Sequence, residues 1–146
     1  MVEDEAELEL LMVRFLRAVS FKTGERPAYG ELHELFVEDG KLIKTSSAVP
    51  EISTVDDFIR PRQAMVDSGA LQWFQEVELA AITEIFGNVA HRFSTYEKRG
   101  LLDEAAIDAR GAISTQLIRT KDRWRVSSMA WDDERPGLGL PARYRA

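Results

Sequence analysis

The spacing of apolar positions changes once along this chain, near residue 70: before it they recur every three to four residues, and after it they alternate in twos. Leu8, Leu11, Met12, Phe15, Leu16 and Val19 fall on one helical stripe. They predict a first helix over residues 3–22, ended by Gly24 and Pro27. Acidic residues fill its first turns and Arg14, Arg17 and Lys22 come later, as the helix macrodipole favours. The acidic start reads as a solvated helix end rather than a docking patch. Tyr29, Leu32, Leu35 and Phe36 predict a shorter helix over 28–37, with His33 just off the apolar side. Glu38-Asp39-Gly40 then turns the chain into a short strand over 41–45, and a loop spans 46–51. Thr54 with Asp57 opens a third helix in the manner of a capping box. Phe58, Ile59, Met65 and Val66 are its apolar members; Pro61 is expected to kink or split it, and Gly69 to stop it.

Four strands are predicted next. Over 71–86 one row reads Leu71, Trp73, Gln75, Val77, Leu79, Ala81, Thr83, Ile85, and the other carries Phe74, Glu76, Glu78, Ala80, Ile82 and Glu84. That length exceeds an ordinary strand, so a bulge or bend is expected within it. Gly87-Asn88 makes a hairpin turn into 89–98, where His91, Phe93 and Thr95 oppose Ala90, Arg92, Ser94 and Tyr96. A polar loop over 99–108 leads to a strand over 109–120, a tight turn at Lys121-Asp122, and a last strand over 123–131. The whole is an α+β roll whose helices lie on one face of the sheet. Residues 1–134 make one domain, and 135–146, charged and rich in Gly and Pro, read as a loosely ordered tail.

Composition narrows the possible partners. Nineteen basic against twenty-five acidic residues leave a net charge of −6, with the basic ones dispersed, which argues against nucleic acid. The absence of cysteine excludes disulfides, thiolate zinc sites and cysteine nucleophiles. No apolar run reaches the ~18 residues of a membrane span. Met1-Val2-Glu3-Asp4-Glu5 is acidic where a signal peptide is basic, so a cytoplasmic location is expected.

The order of elements, the Leu35-Phe36-Val37-Glu38-Asp39-Gly40 turn and the Asp122-Arg123-Trp124-Arg125-Val126 segment resemble the nuclear transport factor 2-like superfamily. That group includes SnoaL-like polyketide cyclases, ketosteroid isomerases and scytalone dehydratases. Phe93-Ser94-Thr95-Tyr96-Glu97 and Trp131-Asp132-Asp133-Glu134 resemble small bacterial members of unknown function. The resemblance implies a cone-shaped roll, with three N-terminal helices on the concave face of a curved mixed or antiparallel sheet. It also implies a blind pocket between the layers and homodimers formed through the sheet. The fold hosts enzymes, binding modules and dimerisation domains alike, so it does not name a reaction.

Ketosteroid isomerases place an aspartate base on the first strand. The matching position here falls near Lys44, and an ammonium needs its pKa lowered by about three units to act as a base. A dehydratase-like reaction needs a His–Asp pair, and His33 and His91 are the two histidines. His91 is the candidate general base with Tyr96 assisting; otherwise it is a strand residue of no catalytic role. Tyr29, Trp73, Tyr96 and Trp131 are candidates to line an aromatic pocket, with Gln75 and Gln116 orienting a ligand. Glu76, Glu78 and Glu84 cannot be buried cheaply unpaired, so their row is expected to reach solvent and the Trp73–Gln75 row to point inward. Arg92 reads as an exposed sheet residue, or else as an interior carboxylate clamp. Asp132-Asp133-Glu134 reads as a solvated terminus rather than a cation site. Two functions follow. One is a homodimeric binding or interaction domain for a small hydrophobic or amphipathic molecule, needing no cofactor or metal. The other is a cofactor-independent lyase, isomerase or cyclase using His91 and Tyr96.

Overall fold

In a computed structural model of the chain, which describes residues 2–145, α1 (Val2–Val19) is followed by a single 3-10 turn, Tyr29–Glu31, and α2 (Leu32–Leu35). Then come β1 (Phe36–Lys44), β2 (Glu51–Ser53), α3 (Val55–Asp67), β3 (Leu71–Phe86), β4 (Val89–Leu102), β5 (Ala105–Thr120) and β6 (Arg123–Asp133). The strands form one curved open sheet in the order β2-β1-β6-β5-β4-β3, antiparallel except for the parallel β1–β6 pair. The three helices pack on one face, as the change of period implies. Leu8, Met12, Phe15 and Leu16 of α1 bury against Phe36, Leu117, Val126 and Met129 of the sheet. Among the described residues no helix is long and apolar enough to cross a membrane.

Thr54 caps α3 by accepting the Asp57 N–H at 3.1 Å. The helix runs through Pro61 as one element and is not split into two short pieces. The predicted 28–37 helix is shorter than its apolar spacing suggests. Phe36 already belongs to β1, whose pairing with β6 slips between Phe36 and Lys41 and absorbs Glu38-Asp39-Gly40 inside the strand. The segment expected to be a polar loop, 99–108, is strand on both sides of a turn at Asp103 and Glu104, whose φ angles are 49° and 65°. That is the mirror-image turn that suits strand twist, so a polar composition there marks an exposed hairpin instead of a loop.

Two further contacts depart from the expectations, and a third positions the site. The acidic start of α1 docks: Asp4 accepts from Arg119 at 2.8 Å and from the Trp124 indole at 3.2 Å, and Glu7 accepts the Trp124 backbone N–H at 2.9 Å. These bonds hold Asp4's carboxyl below the usual carboxylate range. The C-terminal segment is packed rather than loose. Leu140 and Tyr144 are buried, Tyr144 lies against Phe93 at 5.0 Å between ring centroids, and its carbonyl accepts from the Thr95 hydroxyl. It therefore covers part of the sheet face turned away from the helices. Finally, the exit of α1 is stitched to the edge of β3. Phe21 and Phe74 exchange backbone hydrogen bonds of 2.8 and 3.0 Å, and Ser20 accepts the Glu76 N–H at 3.1 Å. That stitch pairs a short part of an edge strand, and it holds the backbone at Glu76.

Candidate functional site

The long β3 strand carries the expected irregularity: its register against β4 shifts at the start, between Leu71 and Trp73, and again mid-strand, between Glu78 and Ala80, and it is the mid-strand shift that matters for the site. An extra residue in a strand reverses which side chains face in. Before the shift the inward row is Phe74, Glu76 and Glu78; after it the row is Ala81, Thr83 and Ile85. Trp73 and Gln75 therefore point away from the helices, with Gln75 exposed, which reverses the expectation for this half of the strand.

The inward row faces a cavity of about 350 Å³ between the sheet, α1 and α3. Its apolar wall is built from Phe15, Phe58, Phe74, Ile113, Met129 and Trp131. Phe58 and Trp131 meet edge to face, 6.0 Å between centroids at 88°, the arrangement ring quadrupoles prefer. Its polar groups are Tyr29, Lys44, Ser46, Arg62, Glu76, Lys98 and Asp133.

Register explains how these groups converge. Lys98 stands directly across from Glu76, and Tyr96, Gly111 and Asp133 form the neighbouring row. The missing side chain at Gly111 lets the Tyr96 ring cross it. A Cβ there would lie 2.2 Å from both the Tyr96 hydroxyl and the Asp132 carbonyl oxygen. Having crossed, the Tyr96 hydroxyl donates to the Asp133 carboxylate, with the Asp132 carbonyl oxygen at 3.0 Å. Lys98 Nζ reaches the same carboxylate at 3.1 Å. Burial, then Asp133, push the Tyr96 hydroxyl well above its ordinary pKa, so it stays protonated as a fixed donor. Asp133 is thus tied down from two sides, and is not the solvated terminus its sequence context suggests.

Glu76 is held differently. It forms no ion pair among the described residues. Burial raises its pKa from 4.5 to about 7, with Lys98 opposing that shift, Asp133 adding to it and Arg62 opposing it. This is how a glutamate tolerates an apolar surrounding: it takes up a proton. Near neutral pH both its acid and its base forms are populated, the condition for exchanging a proton with a bound molecule.

Of the residues singled out from sequence, Tyr29 and Trp131 line the cavity and Tyr96 supports it from behind. Trp73, Gln75, Gln116 and His91 do not line it. Gln116 is exposed and accepts from Ser127 at 3.1 Å. His91 is exposed too, 2.7 Å from Glu84 on the outer face, because the even-numbered positions of β4 are the ones that face the helices. It has no access to the interior, and we set it aside as a base. Arg92 is interior, gripping Glu78 at 3.1 and 2.5 Å and donating to Thr83 at 2.7 Å. Sequence reasoning missed Glu76, Asp133, Arg62 and Lys98. The usable signal was the length of β3, since a bulge of unknown position leaves each glutamate free to face either way. Among the described residues no group of three or more His, Asp or Glu side chains is arranged to hold a metal ion.

No protein-family model matches the sequence, and no curated protein matches it. Solved structures do. A nuclear transport factor 2-like protein with a cystatin-like fold from Novosphingobium aromaticivorans is 16% identical with a TM-score of 0.68, over 98% of this chain and 87% of that one. A candidate scytalone dehydratase from the same organism is 11% identical, TM-score 0.72, over 92% and 86%. A protein of unknown function from Mycobacterium tuberculosis is 12% identical, TM-score 0.74, over 98% and 85%. At such identities the likeness speaks for architecture and leaves chemistry open. The chain has the nuclear transport factor 2-like, cystatin-like fold that its element order and turn motifs resemble.

Proposed function

We propose that this protein binds a small, largely apolar molecule in the cavity between its helices and sheet. The carrying observation is the cavity itself: a hollow of about 350 Å³ walled by Phe58, Phe74 and Trp131 with Glu76 set into it. That volume lies at the lower end of small-molecule sites and admits a one- or two-ring compound. Trp131 on the wall supplies a fluorescence reporter. Small bicyclic aromatics are expected to change its emission saturably, and Ala109→Phe, which fills the cavity from β5, is expected to abolish the change without unfolding the chain. If no such compound perturbs Trp131 at millimolar concentration, the reading fails. Pairing of two copies through the outer sheet face is supported by Val77 and Ile82, each about two-fifths exposed there. Sedimentation of the wild type and of Ile82→Glu tests that pairing.

A second reading is favoured by the acid–base state of Glu76: cofactor-independent proton transfer, as in an isomerase or lyase. The Glu76 carboxylate takes a proton from carbon next to a carbonyl, leaving an enolate, and returns it to the same or a neighbouring atom. Tyr96 positions Asp133 and Lys98 in this scheme and touches no substrate. Exchange of the α-hydrogens of 2-tetralone in D₂O, followed by NMR, measures the step. It is expected to be faster with wild-type protein than with Glu76→Gln; equal rates would remove this reading and leave simple binding.

A further inference from the structure

The polar groups of the cavity fall into two sets. Asp133 and Lys98 satisfy each other at 3.1 Å. Arg62 and Lys44 line the same cavity, and neither forms an ion pair among the described residues. Lys44 has Glu51 across the β1–β2 ladder, but that carboxylate accepts from Ser47 at 2.7 Å. Arg62 is the more informative of the two. Its guanidinium stacks 3.6 Å from the centre of the Phe58 ring and donates to the Phe58 carbonyl oxygen at 3.0 Å. Those contacts fix the orientation of the plane and use one of its five N–H groups. A half-buried cation without a counter-ion is costly, and a bound anion would offset that cost. Burial already pulls the Arg62 pKa down, against the pull of Tyr29, Glu51 and Glu76.

We propose that the natural ligand is a small organic monocarboxylate: a compact aromatic or alicyclic body among Phe58, Phe74 and Trp131, with its carboxylate on Arg62 and Lys44 alongside. This rests on the reading of the cavity as a small-molecule site and names its substrate class. A fixed guanidinium suits a planar carboxylate, which it can grip through two parallel hydrogen bonds. A phosphate dianion fits less well, because Glu76 and Asp133 face the same space and like charges repel. A neutral ligand would leave Arg62 unpaired.

Calorimetric titration with 1-naphthaleneacetate, 1-naphthaleneacetamide and 1-naphthyl phosphate separates these cases. The acid is expected to bind at least tenfold more tightly than the amide, and the phosphate more weakly than the acid. Arg62→Gln is expected to remove the preference for the acid, bringing acid and amide to the same affinity, and continued binding of the amide also shows that the variant folds. Should Arg62→Gln not fold, Lys44→Gln is expected to weaken the acid about threefold, and added salt to weaken the acid and spare the amide. Equal binding of acid and amide by the wild type overturns this proposal but leaves the cavity reading standing. So does a phosphate that binds more tightly than the acid, or a preference for the acid that survives Arg62→Gln. Failure of all three compounds to bind overturns both.

Discussion

Glu76 and Glu78 stand two residues apart on the inward row of β3, and the structure uses them in opposite ways. Glu78 is gripped through both oxygens by Arg92, itself further fixed by Thr83, beside an open polar hollow that Glu5 and Glu9 of α1 also line. Glu76 has a lysine across the ladder, but that lysine is engaged by Asp133, and the space in front of Glu76 is hollow. A carboxylate with a dedicated bidentate partner is an element of structure. One of the same type, on the same face, whose cross-strand lysine is already engaged, keeps a proton in play. What decides between the two is whether a neighbouring strand offers a dedicated guanidinium, which neither residue's local sequence reveals.

The largest test of this contrast is Arg92→Met. It strands a carboxylate that is 23% exposed, and we expect a loss near the low end for a broken buried pair, about 3 kcal/mol, read as a fall in the denaturation midpoint at unchanged slope. The Glu78→Leu/Arg92→Met double variant is expected to recover most of that loss. Recovery would show that the pair is structural, whereas an equally unstable double variant would break the comparison.

Glu76→Gln should act in the other direction. The folded chain holds the Glu76 proton up to about pH 7, while the unfolded chain releases it near pH 4.5. Wild-type stability from this group is therefore complete below pH 4.5 and declines as pH rises to about 7. The glutamine variant lacks that decline. It is expected to gain on the order of 3 kcal/mol over wild type at pH 8 and to match it near pH 4. A gain independent of pH would mean that Glu76 is an ordinary solvated carboxylate.

Tyr96→Phe removes the donor that positions Asp133 and should cost about 1–2 kcal/mol. It should leave the interior rings in place, as thermal melting and the Trp131 emission maximum can show. His91→Ala touches only the exposed Glu84 contact, and a change within about 0.5 kcal/mol is expected. Any effect of His91→Ala on ligand binding or turnover would return the outer face to consideration.

Much of the architecture was readable before any coordinates. The Leu8–Val19 stripe, the Thr54 cap, and the turns at Gly87-Asn88 and Lys121-Asp122 are local devices whose physics acts within a few residues. They sufficed for helices on one face of a meander. Within the site, the sequence points to Tyr29 and Trp131, and both line the cavity, because large rings at apolar spacing seldom face water. Local pattern misleads where a distant partner intervenes. The acids of the first turn looked solvated until Arg119 and Trp124 were brought to Asp4. The tail looked loose until Phe93 and Thr95 gave it a surface to pack on.

What the chain's own order of residues determined is the set of elements, their sequence and the stock of rings and carboxylates available to a cavity. Only the tertiary structure decided which carboxylate faces that cavity. One register slip in β3, between Glu78 and Ala80, sets the phase of the alternation, and the pairing of β4 with β5 and β6 lays Tyr96, Gly111 and Asp133 in one row. A side-chain period of two makes facing sensitive to a single inserted residue. The position of that insertion is settled by the partner strand, through hydrogen bonds that no stretch of β3 contains.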